Sequence, residues 1–268
     1  MNSNIYDLFL FIGQSNIAGR AKTSPEHPER APLCLPNAGF EFRAVSDPTM
    51  LYPIKEPFGV NENKENGIFE TCPKTGSLVT AFTNAYFQNS QTPIIGLSAS
   101  KGGSGIVEWL PDTPYMNDTL ERLNAAYSYM DEHHLTIRHK FMVWCQGERD
   151  GQRNHSEEYY ITHFNQVLNT LMGHGIEHCF MIRIGHFNLA CNAPDAPLQD
   201  YSIIMKAQDR ICRENPHVTM VSTKFADMLE RGLMHDTYHY FQEAYNEVGT
   251  DAGIHAANFV NHFCRINI

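Results

Sequence analysis

Five short runs of this chain, residues 6–12, 93–98, 140–145, 179–184 and 218–222, are apolar at consecutive rather than alternate positions. A strand that is apolar on both faces is one covered by helices on both sides. Residues 77–88, 115–132, 157–172, 201–213 and 242–263 instead carry apolar side chains three and four positions apart, the spacing of an amphipathic helix. Strand and helix in alternation predict a parallel sheet of about five strands wound by right-handed crossovers. The expected fold is a doubly wound α/β domain that takes in all of residues 1–268.

One stretch interrupts that rhythm. Residues 23–75 hold eight of the 14 prolines and little periodicity, which reads as a long ordered loop inserted after the first strand. Phe40, Phe42, Tyr52 and Phe58 within it favour packing over disorder. A loop of that length in a compact domain is expected to form one wall of a site.

Composition narrows the possible partners. Hydrophobic residues make up 42% of the chain and charged residues 19%, as in soluble globular proteins. The formal charge of −10 makes the average surface repel phosphate backbones and anionic lipid head groups, so neither nucleic acid nor a membrane is an expected partner. No apolar stretch approaches the length of a membrane span. The seven cysteines are odd in number and never form C-x-x-C, which argues against a disulfide framework and a thiolate zinc site. Most are expected to fill the core. At the amino terminus Asp7 precedes a very short apolar run, with no basic n-region. These are not the features of a signal peptide, and a cytoplasmic location is the expectation.

Ligands of an open parallel sheet gather outside the carboxyl ends of its strands. Gly13-Gln14-Ser15-Asn16 follows the first predicted strand, Ser100-Lys101-Gly102-Gly103-Ser104 the second, and Gln146-Gly147-Glu148-Arg149-Asp150 the third. Near the carboxyl terminus comes His235-Asp236-Thr237-Tyr238-His239. Acyl transfer needs a hydroxyl nucleophile, a histidine base, a carboxylate that orients it, and N–H donors for the oxyanion. Ser15, His239 and Asp236 can supply the first three. The i, i+3 spacing lets a tight turn bring the Asp236 carboxylate to Nδ1 of His239, leaving Nε2 for the serine. Three donors are expected for the oxyanion: the backbone N–H of Ser15, that of Gly103, unshielded by any Cβ, and the side-chain amide of Gln146. Gln14 and Asn16 are expected to brace the turn and border the substrate. Arg20 and Arg149 on the rim would suit an anionic substrate, and Trp109 could stack on a sugar ring.

These segments resemble ordered blocks of the SGNH-type carbohydrate acetylesterases, the group of the sialate O-acetylesterases and acetylxylan-esterase-like proteins. Gly13-Gln14-Ser15-Asn16 with Ala18-Gly19-Arg20 is similar to the block GQSNMAGR, and Lys101-Gly102-Gly103-Ser104 with Glu108-Trp109 to a second. Trp144, Gln146, Gly147, Glu148 and Asp150 match a block WxQGExD. Asp236, His239, Tyr240, Glu243, Tyr245, Asn246 and Gly249 match the last, DxxHY…EGYNEIG. The resemblance implies a flavodoxin-like three-layer α/β/α fold and metal-free, cofactor-free hydrolysis of acetyl esters on a saccharide. It implies the same roles for Ser15, His239, Asp236, Gly103 and Gln146. It also brings Glu148 forward as a second acid partner of His239, competing with Asp236 or assisting it. Ile17 in place of methionine and Arg149 in place of a small or polar residue depart from the pattern.

Three other readings compete. A nucleophile elbow of the α/β-hydrolase type needs G-x-S-x-G, and residue 17 is Ile. His235 and His239 have the i, i+4 spacing of zinc-binding H-E-x-x-H helices, but Asp stands where Glu acts as base, and no periodic helix surrounds them. A sugar-binding relative without activity would have no reason to keep every catalytic residue type. His133, His134 and His139 read as a solvated helix end.

Overall fold

The computed structural model describes residues 5–194 and 197–266. Residues 1–4 and the side chain of Cys264 lie outside the described residues. Seven strands form one sheet: β1 (Ile5–Gly13), β2 (Gly39–Arg43), β3 (Asp47–Pro53), β4 (Ile94–Ser100), β5 (Thr136–Cys145), β6 (His178–Ile182) and β7 (Val218–Ser222). Their order is β3-β2-β4-β1-β5-β6-β7. All neighbours are parallel except β2 and β3, which form an antiparallel pair. The helices are α1 (Ser15–Ala18), α2 (Val79–Ser90), α3 (Pro114–Glu132), α4 (Glu148–Gln152), α5 (Glu157–Gly173), α6 (Ser202–Glu214) and α7 (Gln242–Ile266). Among the described residues no helix is long and apolar enough to cross a membrane.

The continuous apolar runs are explained by the two faces of the sheet. Alternate residues of β1 go to opposite layers. Leu8, Leu10 and Ile12 pack with Leu123 of α3, Phe164 of α5 and Ile204 of α6. Phe9 and Phe11 pack with Phe82 of α2 and Tyr245 and Val248 of α7. The result is the expected three-layer α/β/α arrangement. Gly249 and Gly253 let α7 approach α2 closely: a Cβ on either would stand 2.3 or 2.4 Å from the backbone oxygen of Leu78 or Phe82.

The sheet has two more strands than the pattern predicts, and both come from residues 23–75. β3 is an edge strand and contains Pro48 and Pro53, which an edge tolerates because one of its sides needs no ladder bonds. Phe42 and Phe58 are buried, while Phe40 and Tyr52 are partly buried. The rest of the stretch is tied down from below. Arg122 of α3, itself buried, donates to the Ser98 and Glu62 carbonyls and pairs with Asp118, which accepts from Ile68 N–H at 2.8 Å. A second correction concerns the cysteines: of the six described, only Cys145 and Cys179 are buried, and Cys72 and Cys191 are exposed.

β1 is central, with β4 on one side and β5 on the other. The chain winds in opposite directions from it, so the crevice beyond its carboxyl end is where a ligand can enter.

Candidate active site

Gly13 closes β1 where three strands crowd together. Its φ is +139°, and a Cβ there would stand only 2.1 Å from the Cys145 carbonyl oxygen, so the position has room for glycine alone. Gly13 O accepts from Lys101 N–H, and Gln14 N–H donates to Cys145 O, so the ends of β4 and β5 are fastened to the turn that carries Ser15. Ser15 opens α1 and lines a cleft together with Gly102, Gly103, Glu148 and His239. Its Oγ has no hydrogen-bond partner among the described residues.

His239 lines the same cleft from the segment before α7. The Asp236 carboxylate folds over its own turn: Oδ1 accepts the N–H groups of Tyr238 (2.9 Å) and His239 (2.7 Å), and Oδ2 lies 2.8 Å from His239 Nδ1. Burial by itself would raise the Asp236 carboxyl, but these bonds and the imidazole beside it outweigh burial and hold it well below the usual range. Nδ1 is thus occupied, and Nε2 is buried with no partner among the described residues.

Glu148 begins α4 and is also buried at the cleft. Its Oε1 accepts from Asn16 Nδ2 at 2.5 Å, and Oε2 has no partner among the described residues. Burial pushes this carboxyl up. No ion pair joins Glu148 to His239 among the described residues, so the bond to Nδ1 belongs to Asp236.

The loop after β4 supplies backbone donors. Gly103 adopts φ +73°, and a Cβ there would meet nothing within 4 Å, so this glycine stands open to the cleft. Neither Gly103 N–H nor Ser15 N–H donates to an acceptor among the described residues. Glu70, from the Pro-rich stretch, holds the preceding peptide. Its Oε2 accepts Gly102 N–H at 2.6 Å and pairs with Arg20 at 2.6 Å, and Oε1 lies 3.9 Å from Lys101. Burial would raise the Glu70 carboxyl, but the Gly102 N–H and the two cations outweigh it and keep it ionised below its ordinary value. Lys74 donates to Ser98 and Ser100 at the end of β4, and burial lowers its amine to about 8.

Glu70 has no motif around it, and only the return of the loop, 57 residues after Gly13 ends β1, reveals it. Replacing it with alanine should leave the fold intact and lower kcat on the order of tenfold to a hundredfold, because a donor displaced by a fraction of an ångström loses most of its value. Initial rates on p-nitrophenyl acetate measure this. An unchanged kcat would mean that the glycine loop holds its shape without Glu70.

Three expected contacts need correction. Gln146 is fully buried and does not line the cleft. Its Nε2 donates to Asp150 Oδ2 at 2.5 Å and to the Ser104 carbonyl at 3.1 Å, so its amide protons are committed to bracing the loop after β4. Asn16 is also fully buried, donating to Glu148 and to Tyr238 O and accepting from Tyr245. It braces the turn without reaching the cleft. Trp109 lies in the core, its Nε1 donating to Ser104 Oγ and its ring edge-on to Trp144. In each case the residue follows a strand end but its side chain turns inward.

Gln14 and Arg20 do line the cleft. Gln14 Oε1 accepts the N–H groups of Gly147 and Arg149, and Arg20 is paired with Glu70. Arg149 is exposed on the rim and its guanidinium donates to Gln152. His235 Nε2 donates to the Arg20 carbonyl at 2.9 Å, and its Nδ1 lies 3.4 Å from Asp236 Oδ2, a longer contact than the one from His239. Among the described residues no three His, Cys, Asp or Glu side chains are grouped to hold a metal ion.

Comparison with known proteins adds to this geometry. A family model described as "Carbohydrate esterase, sialic acid-specific acetylesterase" matches residues 5–256. No curated protein matches significantly. A crystal structure from Arabidopsis thaliana superposes with a TM-score of 0.68 at 19% identity, covering 96% of this chain and 99% of the other. NanS superposes at 0.64 and 14% identity over 98% and 99%. A carbohydrate acetylesterase from Xanthomonas citri superposes at 0.56 and 13% identity, over 94% of this chain and 57% of that one. At such identities the superpositions establish a common fold.

Proposed function

Since this chain belongs to the family of carbohydrate esterases described as sialic acid-specific acetylesterases, and is an esterase of carbohydrate O-acetyl groups, we propose that it works through an acetyl-enzyme on Ser15. The observation that carries this reading is the pair of unpartnered atoms in one cleft, Ser15 Oγ and His239 Nε2, with Asp236 fixed on the far side of the imidazole.

Ser15 Oγ attacks the acetyl carbonyl while His239 Nε2 takes its proton, and Asp236 stabilises the imidazolium that forms. The N–H groups of Ser15 and Gly103 stabilise the oxyanion, in a cleft whose walls already hold them in place. The sugar alcohol leaves with the proton from His239. Water then attacks the acetyl-enzyme by the same route, releasing acetate. Gln146 and Glu70 act on this reaction through the loop they brace.

The substrate is an O-acetylated saccharide of the acetylxylan or sialic-acid type. Acetate release from acetylated xylo-oligosaccharides and O-acetyl sialic acids, with Ser15→Ala as control, tests the reading. Release from at least one class by the wild type alone is expected, at a rate unchanged by EDTA. Inactivation by EDTA reversed by zinc would replace it with the metal reading at His235 and His239.

A further inference from the structure

The cleft at Ser15 has a volume of about 240 Å³, below the roughly 300–1,000 Å³ of sites that enclose a small-molecule ligand. It can take an acetyl group and the part of the sugar that bears it. The remainder of a saccharide must rest on another surface.

A larger groove, of about 1,050 Å³, lies across a thin partition. Arg20 faces the cleft, while the next two residues, Ala21 and Lys22, face the groove. Glu70, Thr71 and Cys72 face the cleft, and Thr75 faces the groove. Thr75 N–H donates to Gly19 O and its Oγ1 to Ala21 O at 2.7 Å, binding the two segments into one wall. The Lys22 carbonyl accepts the N–H of Gln242 at 2.9 Å, three residues past His239, which puts the groove beside the turn that carries His239.

The groove has an unusual charge. Lys22, Arg30 and Lys55 line it, all exposed, and among the described residues none of their side chains has an ion pair or a hydrogen bond. The acid in its lining is Glu56, whose oxygens are taken by Ser77 and Thr80 through both their N–H and hydroxyl groups. Three unpartnered cations thus sit together on a protein whose formal charge is −10. Between them Pro32, Pro36 and Pro53 give stiff apolar walls, and Phe40 adds an aromatic ring. An aromatic face such as Phe40 suits the CH face of a pyranose, and exposed cations suit its carboxylate.

We propose that this groove binds an anionic saccharide chain, the remote part of a substrate whose acetylated residue enters the cleft. The second half of that statement rests on the esterase reading; the first does not. Binding energy at the groove is made equally with substrate and transition state, so it lowers KM and leaves kcat unchanged. Because the cations are exposed, it weakens with salt.

The probe is unacetylated tetragalacturonate, titrated calorimetrically at low ionic strength against the wild type and against the triple variant Lys22→Ala, Arg30→Ala, Lys55→Ala. None of the three touches the reacting atoms, so p-nitrophenyl acetate hydrolysis should be the same in both proteins. That rate also reports that the variant is folded. Binding of the tetramer should weaken on the order of tenfold in the variant, three exposed charge contacts being worth a few-fold each. Equal affinity in both proteins, or no binding by the wild type, overturns the proposal. So does equally tight binding of neutral xylotetraose, which removes the role of charge, or of a tetra-aspartate peptide, which removes the role of the sugar. Tetramer binding by a wild type that hydrolyses no acetyl ester supports the groove and overturns the esterase reading instead.

Discussion

Ser15→Ala should lower kcat on p-nitrophenyl acetate by on the order of a hundred-thousandfold, the scale on which loss of a nucleophile acts in serine hydrolases. The protein itself should be indifferent to the change. Ser15 Oγ is bonded to nothing among the described residues, so its removal leaves no buried donor or acceptor unpaired, and the thermal midpoint should move by no more than about 2 °C. The backbone N–H groups of Ser15 and Gly103 remain and account for any residual rate. Activity above about one hundredth of the wild type would show that another group attacks the ester. The near-native stability separates this outcome from simple unfolding.

Asp236→Asn should cost on the order of a thousandfold or more in kcat, and more than Glu148→Gln does. An asparagine in place of the orienting carboxylate offers His239 the wrong tautomer and no charge for the imidazolium. In this protein Asp236 alone lies at hydrogen-bond distance from His239 Nδ1, at 2.8 Å. Glu148 is held by Asn16 and raised by burial, so the loss of its charge removes less. Both substitutions preserve shape, and single-turnover rates measured over a range of pH compare them directly. A greater loss in Glu148→Gln would make Glu148 the acid that serves the histidine, with Asp236 reduced to shaping its turn.

Local features are legible in the sequence alone. Asp236 and His239 are three residues apart, so the turn that joins them is written in their spacing. β1 and β4 to β7 were legible for a similar reason: a strand covered by helices shows an unbroken apolar run. β2 and β3 escaped this rule for different reasons: β2 sets the charged Glu41 and Arg43 among its apolar residues, and β3, at the sheet edge, is largely exposed and holds two prolines. The cysteines show the complementary error, since composition ranks a residue type by its usual burial and says nothing about Cys72 at the cleft or Cys191 on its loop.

The amino-acid order therefore determined five of the seven strands and the five long helices, and which polar residues follow those strand ends. These depend on periodicity and on neighbours a few positions away. Only the tertiary structure decided where those polar side chains point. Gln146, Asn16 and Trp109 occupy rim positions by sequence, yet buried polar groups must find partners, and theirs are Asp150, Glu148 and Ser104 on other segments. Glu70 is the converse, a carboxylate from the Pro-rich stretch drawn to Gly102 and Arg20 by hydrogen bonding and charge once the chain has folded back. Direction and partnership depend on contacts between residues far apart in the chain, and those exist only after the sheet has brought its carboxyl ends together.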